Sequence, residues 1–167
     1  GFRVYDTEHF GSEVRDELVA VFDTGNGALV GLVAGSCLGP LRTGAIGGVA
    51  VDSLARNDVT TLALVGTGKQ ARTQLQAACA VRTFEVVRAF SRTATRCEAF
   101  CREMTGRTGI EIEPVESARE AVTDADVVIC STISDTPVLE TDWISPGTHI
   151  QNVGPKFRDS SELPVGL

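Results

Sequence analysis

The chain changes its hydrophobic rhythm once, near Asn57-Asp58-Val59-Thr60. Ahead of that break, β-rich runs at 17–23 and 28–34 flank Thr24-Gly25-Asn26-Gly27 and predict a hairpin. A helix is predicted over 43–55, where Gly44, Gly47 and Gly48 permit close packing at some loss of helix propensity. Behind the break, short apolar runs alternate with helix-like ones. Strands are predicted at 61–65, 85–90, 110–115, 127–131 and 149–153, and helices at 71–81, 95–104 and 118–122. This alternation builds a parallel sheet with right-handed crossovers, so an α/β fold with helices on both sheet faces is expected, preceded by a small β-rich segment. Ligands of such sheets lie outside the carboxyl ends of the strands. Residues 66–70, 91–93, 131–133 and 153–156 are therefore expected to face one crevice.

The first of these segments carries the clearest chemistry. Gly66-Thr67-Gly68-Lys69-Gln70-Ala71 lies between the apolar run Leu62-Ala63-Leu64-Val65 and the start of a helical run. Glycines at the first and third positions allow a tight turn and bring bare backbone up to a pyrophosphate, whose charge the next helix's free N–H groups and dipole favour. Ala71 is small enough for close helix–strand packing and completes the G-x-G-x-x-G/A pattern of a Rossmann-like corner. Asp or Glu usually holds a free ribose hydroxyl at the end of the second strand, but here that place reads Ser91-Arg92-Thr93. Arg92 can pair with a 2′-phosphate, each charge-assisted hydrogen bond contributing about 1.5 to 3 kcal/mol. NADP(H) is therefore expected over NAD(H), with Ser131, Thr132, Ile133 and Val153 completing the cofactor site.

Bulk properties narrow the partners. A net charge of -7 argues against a broad nucleic-acid footprint, and neither a basic stripe nor stacking aromatics appear. No run is apolar for long enough to cross a bilayer, and the first residues lack a basic start followed by an apolar stretch, so a soluble, cytoplasmic protein is expected. Cys37, Cys79, Cys97, Cys101 and Cys130 are scattered, without C-x-x-C pairs or histidines at ligand spacing, so no metal site is expected.

Further motifs carry a resemblance. Leu41-Arg42-Thr43-Gly44-Ala45, the glycine corner through Arg72, Ser91-Arg92-Thr93, and Val153-Gly154 with Glu162-Leu163 together resemble the ornithine cyclodeaminase and mu-crystallin family across nearly the whole chain. Family members are considerably longer, so the chain looks like their middle. The resemblance implies that residues 1–56 belong to a substrate and dimerisation domain, 57–155 form the dinucleotide-binding domain, and 156–167 begin the return to the first domain. It also implies a homodimer when the chain is full length. The arginine matching Arg42 binds the substrate carboxylate in the family, and Arg3 stands near a basic substrate-contacting position. An arginine in the first turn of a helix opposes the dipole, which an anion bound there explains. Thr43 is read as capping that helix, within reach of a cofactor phosphate or as a plain N-cap.

One departure separates two activities. Ornithine cyclodeaminases carry an aspartate two residues beyond the glycine matching Gly154, where this chain has Pro155-Lys156. An ammonium there repels ornithine's own by about 4 kcal/mol at contact and an effective dielectric near 20. The expected activity is therefore hydride exchange between a nicotinamide and the α-carbon of an amino or imino acid, with Arg42 anchoring the carboxylate and Lys156 assisting at nitrogen or binding a second acid. Cyclodeamination of ornithine to proline and non-catalytic binding of NADPH and a small ligand are the alternatives. Asp159 and Glu162 are further candidate acids whose direction the sequence leaves open.

Overall fold

The structure, a computed structural model, describes residues 2–5, 17–157 and 159–167, and for residues 2–5 and 156 the backbone alone. The chain forms two compact units, Gly1–Arg42 and Thr43–Leu167. In the first, β1 (Phe2–Tyr5), β2 (Glu17–Phe22) and β3 (Leu29–Ala34) make an antiparallel sheet in that order. The turn between β2 and β3 is held by side chains: Asp23 Oδ1 accepts from Gly25 N–H at 2.6 Å and Asn26 Oδ1 from Ala28 N–H at 2.8 Å. The predicted hairpin is present, and β1 adds a strand that the local pattern did not announce.

Helix α1 (Leu38–Leu54) starts five residues before the predicted helix. Pro40 sits in its first turn, where the missing N–H has no intrahelical partner in any case. Two expectations are corrected by this start: Arg42 lies beyond the first turn, and Thr43 is an interior helical residue rather than the N-cap. From Thr43 onward α1 packs closely on α2 (Lys69–Val81), since a Cβ on Gly44 would stand 2.6 Å from the Thr73 carbonyl oxygen.

The second unit continues with β4 (Thr61–Val65), α2, β5 (Val86–Phe90), α3 (Ala94–Thr108), β6 (Ile112–Pro114), α4 (Ala118–Val122), β7 (Val127–Cys130) and β8 (His149–Asn152). Their five strands form a wholly parallel sheet in the order β6-β5-β4-β7-β8. β4 and β7 read as unbroken apolar runs because both sheet faces are covered. α2 buries Ala71, Gln74, Leu75 and Ala78, and α3 buries Cys97, Phe100, Cys101 and Met104. Both sets follow the i, i+3, i+4, i+7 stripe of a helix packed on one side. All of these but Gln74 meet Leu62, Leu64, Val87 and Ile129 in one core. On the opposite face α4 and Trp143, in a 3₁₀ turn at Thr141–Trp143, pack near Ala63, Val65, Val128 and Cys130. This is the two-faced α/β architecture the alternation predicts.

A buried polar bridge ties three elements. Gln74 Nε2 donates to the Thr43 carbonyl at 3.0 Å, and Gln151 Nε2 on β8 donates to Gln74 Oε1. The chain ends in an antiparallel pair that sequence reading also missed, β9 (Lys156–Phe157) with β10 (Ser160–Ser161).

Candidate functional site

The site is built at the carboxyl end of β4. Gly66 turns the chain at φ +98°, and a Cβ there would lie 2.4 Å from the Ser131 carbonyl oxygen, so both conformation and space demand glycine. Its N–H donates to the Phe90 carbonyl at 2.8 Å, and Ser131 N–H donates to the Val65 carbonyl at 2.8 Å, which draws the ends of β4, β5 and β7 together. Gly68 is the N-cap of α2 and offers no side-chain cap, while the helix's first turn carries no acidic residue. With glycine as N-cap and no carboxylate in its own first turn, the N-terminus of α2 carries the arrangement that favours an anion.

Arg72 holds this turn from the helix. Its Nη1 donates to the carbonyls of Thr67 at 3.2 Å and Gly68 at 3.1 Å, and its Nε and Nη2 grip Glu103 on α3 at 2.9 and 2.6 Å. Its guanidinium also stacks 5.2 Å from the Phe100 ring centre. In a trans peptide the N–H opposes the carbonyl, so with the Thr67 and Gly68 carbonyls taken by Arg72 the N–H groups of Gly68 and Lys69 point away from it. The hydrogen bond from Arg72 chiefly, with the Arg72 and Arg107 charges, holds the Glu103 carboxyl below its ordinary value against the opposing effect of burial.

A cleft of about 330 Å³ opens at these strand ends. Gly66, Thr67, Gly68, Ser91, Arg92, Thr93, Ser131, Thr132 and Ile133 line it together, as the strand-end argument predicts for three of its four segments. Phe90, Arg96, Ser134 and Val138 also line it. Arg96 was missed, although its place four residues after Arg92 at the start of α3 was the available signal. No carboxylate lines the cleft, and neither guanidinium has a hydrogen bond or ion pair among the described residues. Ile133 is 86% exposed on the wall, and a Cβ on Gly68 meets nothing within 4 Å.

The remaining candidates are placed elsewhere. Lys69, Gln70 and Ala71 begin α2 without lining the cleft; Ala71 is fully buried on the sheet, which is the close-packing role its size predicts. The segment 153–156 does not line the cleft either. Val153 is bonded to the end of β7 and packs on the core of the α2 face, because β8 is the sheet edge and its end turns back into the β9–β10 pair. Lys156 begins β9, and Arg3 lies in β1; the side chains of both lie outside the described residues. Arg42 and Thr43 are neighbours in α1 but fall in different compact units. Asp159 is exposed, whereas Glu162 is fully buried with its carboxylate engaged by three protein donors, which argues against reading it as an acid offered to substrate.

A model of the ornithine cyclodeaminase/mu-crystallin family matches residues 6–167. The chain belongs to this family. It is 34% identical over 161 residues to a Delta(1)-pyrroline-2-carboxylate reductase of Bacillus cereus, covering 96% of this chain and 49% of that protein. Ketimine reductase mu-crystallin of Rattus norvegicus is 32% identical over 145 residues, 87% of this chain and 45% of its own length. Among solved structures, the Thermococcus litoralis Delta(1)-pyrroline-2-carboxylate reductase in complex with NADH and L-proline superposes with a TM-score of 0.82 at 40% identity, covering 90% of this chain and 46% of that one. The chain thus spans about half the length of the curated relatives it matches.

Proposed function

We propose that this member of the family is the cofactor-binding part of a nicotinamide-dependent oxidoreductase that acts on an amino or cyclic imino acid. The observation carrying the reading is the pair of glycines in one turn: the protein's own packing requires Gly66, whereas the bare Cα of Gly68 faces open space on the cleft. A side chain there is excluded only by whatever occupies the cleft, and a pyrophosphate drawn to the α2 N-terminus is the occupant with that shape and charge. The residues fit a dinucleotide: Gly66, Thr67, Gly68 and Lys69 would hold the phosphates, and Ser91 to Thr93 with Ser131 to Ile133 the adenosine half. When bound, the nicotinamide supplies or accepts the hydride.

The finer assignments follow on separate grounds. Arg92 and Arg96, in a cleft that no carboxylate among the described residues lines, support NADP(H) over NAD(H). The relatives named above support imino acid reduction, with Arg42 anchoring the substrate carboxylate and Lys156 donating at nitrogen or binding a second acid. Cyclodeamination is disfavoured by Lys156, which stands where the resemblance to ornithine cyclodeaminases implies an aspartate. We assign residues 1–56 to the substrate and dimerisation domain, 57–155 to the cofactor domain and 156–167 to the return segment, in a homodimer. Exposed Leu29, Val30 and Leu32 on β3 favour burial in such an assembly. Five free thiols fit a reducing compartment, the cytoplasm, and among the described residues no helix is long and apolar enough to cross a membrane.

The test is to mix the protein, including its full-length form, with NADPH and a panel of cyclic imino acids and follow the absorbance of the reduced cofactor. Oxidation that depends on the imine is the expected result, with Arg92→Ala losing more affinity for NADPH than for NADH. Equal losses for both would remove the NADP(H) assignment, and no oxidation across the panel by the full-length protein would remove the reductase.

A further inference from the structure

Glu162 has no exposed surface, although it follows a two-residue strand near the end of the sequence. Its Oε2 accepts from the Thr132 N–H and the Thr132 hydroxyl, both at 2.7 Å, and its Oε1 accepts from the Gly154 N–H at 2.6 Å. Its own N–H donates to the Pro155 carbonyl at 3.2 Å, and its carbonyl accepts from Val138 N–H at 2.9 Å. Thr132 and Val138 both line the cleft. Thr132 Oγ1 further accepts from Ser134 N–H at 3.1 Å, which carries the connection along the wall. The fold is shaped around this group: a Cβ on Gly154 would lie 2.3 Å from the Thr132 carbonyl oxygen and 2.6 Å from the Glu162 carboxyl carbon. Burying a carboxylate is unfavourable unless several donors meet it, and an apolar residue fills space without that demand.

We propose that Glu162 is a positioning residue of the cleft: through Thr132 it fixes the 131–134 wall against the glycine turn, and through Gly154 and Pro155 it fixes the base of the β9–β10 pair that carries Lys156. This rests on the dinucleotide reading above. Glutamine at 162 sets an amide N–H against either the Gly154 N–H or the two Thr132 donors, so one of the two anchors is lost while the side chain keeps its size. Thr132→Val removes the hydroxyl link.

The experiment is a cycle of Glu162→Gln, Thr132→Val and the double variant, with the remote core variant Met104→Ala as reference, measuring NADPH and NADH affinity beside thermal midpoint. Glu162→Gln is expected to weaken dinucleotide binding about tenfold to a hundredfold, the span of one to two charge-assisted hydrogen bonds. The double variant binds no worse than Glu162→Gln alone. A merely structural glutamate instead gives an affinity loss no larger than Met104→Ala shows for the same fall in midpoint, or losses that multiply in the double variant; either overturns the proposal. Should Glu162→Gln not fold, Glu162→Asp takes its place in the cycle: a binding loss that Thr132→Val does not deepen supports the proposal, and undiminished binding or losses that multiply overturn it. Wild-type protein that binds neither nucleotide overturns the dinucleotide reading and this proposal together, whereas wild-type binding with Glu162→Gln unimpaired overturns this proposal alone.

Discussion

Gly66 and Gly68 stand two residues apart and answer to different demands. Gly66→Ala drives a Cβ to 2.4 Å from a backbone oxygen at φ +98° and is expected to destabilise the protein by about 2 kcal/mol or more. Gly68→Ala meets no atom within 4 Å and changes stability by less than about 1 kcal/mol, both read by urea denaturation. The motif was legible as a string, yet its two glycines look alike there; only the neighbouring Ser131 carbonyl, 65 residues away, tells them apart. The cysteines are separated in the same way. Burial pushes the Cys79 thiol up to about 11 and the Cys101 thiol up to about 12, while Cys97 and Cys130 are buried and Cys37 is exposed. An alkylating reagent at pH 8 is expected to modify Cys37 first in the native protein and the others only on unfolding, which peptide mass spectrometry resolves.

At the scale of elements, α2 and α3 are joined where the cleft needs rigidity. Arg72 spans Glu103 and two turn carbonyls, so Arg72→Lys, with a point charge in place of a planar fork, is expected to weaken dinucleotide binding severalfold without loss of net charge. The native Glu103 carboxyl is held below its ordinary 4.5, so its stabilising effect is fully present above that value and disappears as pH falls through the lower native value. Thermal midpoints of wild type and Glu103→Gln should therefore differ at neutral pH and converge as pH falls below the ordinary 4.5 and through the lower native value. The stripes of α2 and α3 were legible because their 3.6-residue period is local. The start of α1 was not, since Gly39-Pro40 resembles a helix breaker and is harmless in a first turn. β1, β9 and β10 were illegible because each is defined by a partner strand rather than by its own pattern.

For the whole molecule, the order β6-β5-β4-β7-β8 makes a single cleft from segments far apart in sequence. Three of the four expected strand ends meet there because β4, β5 and β7 are adjacent, and the sequence already implied those crossovers. The fourth, after β8, is diverted by the hairpin that returns Glu162 to Thr132, a long-range contact with no local signature. On the function proposed above, this cleft binds a dinucleotide through bare backbone at Gly68. The most direct measurement of this binding is an equilibrium titration of NADPH and NADH into the wild-type protein and Gly68→Ala at matched thermal stability. Saturable binding by the wild type that falls more than tenfold in Gly68→Ala is the predicted result; undiminished binding by the variant, or none by the wild type, contradicts it.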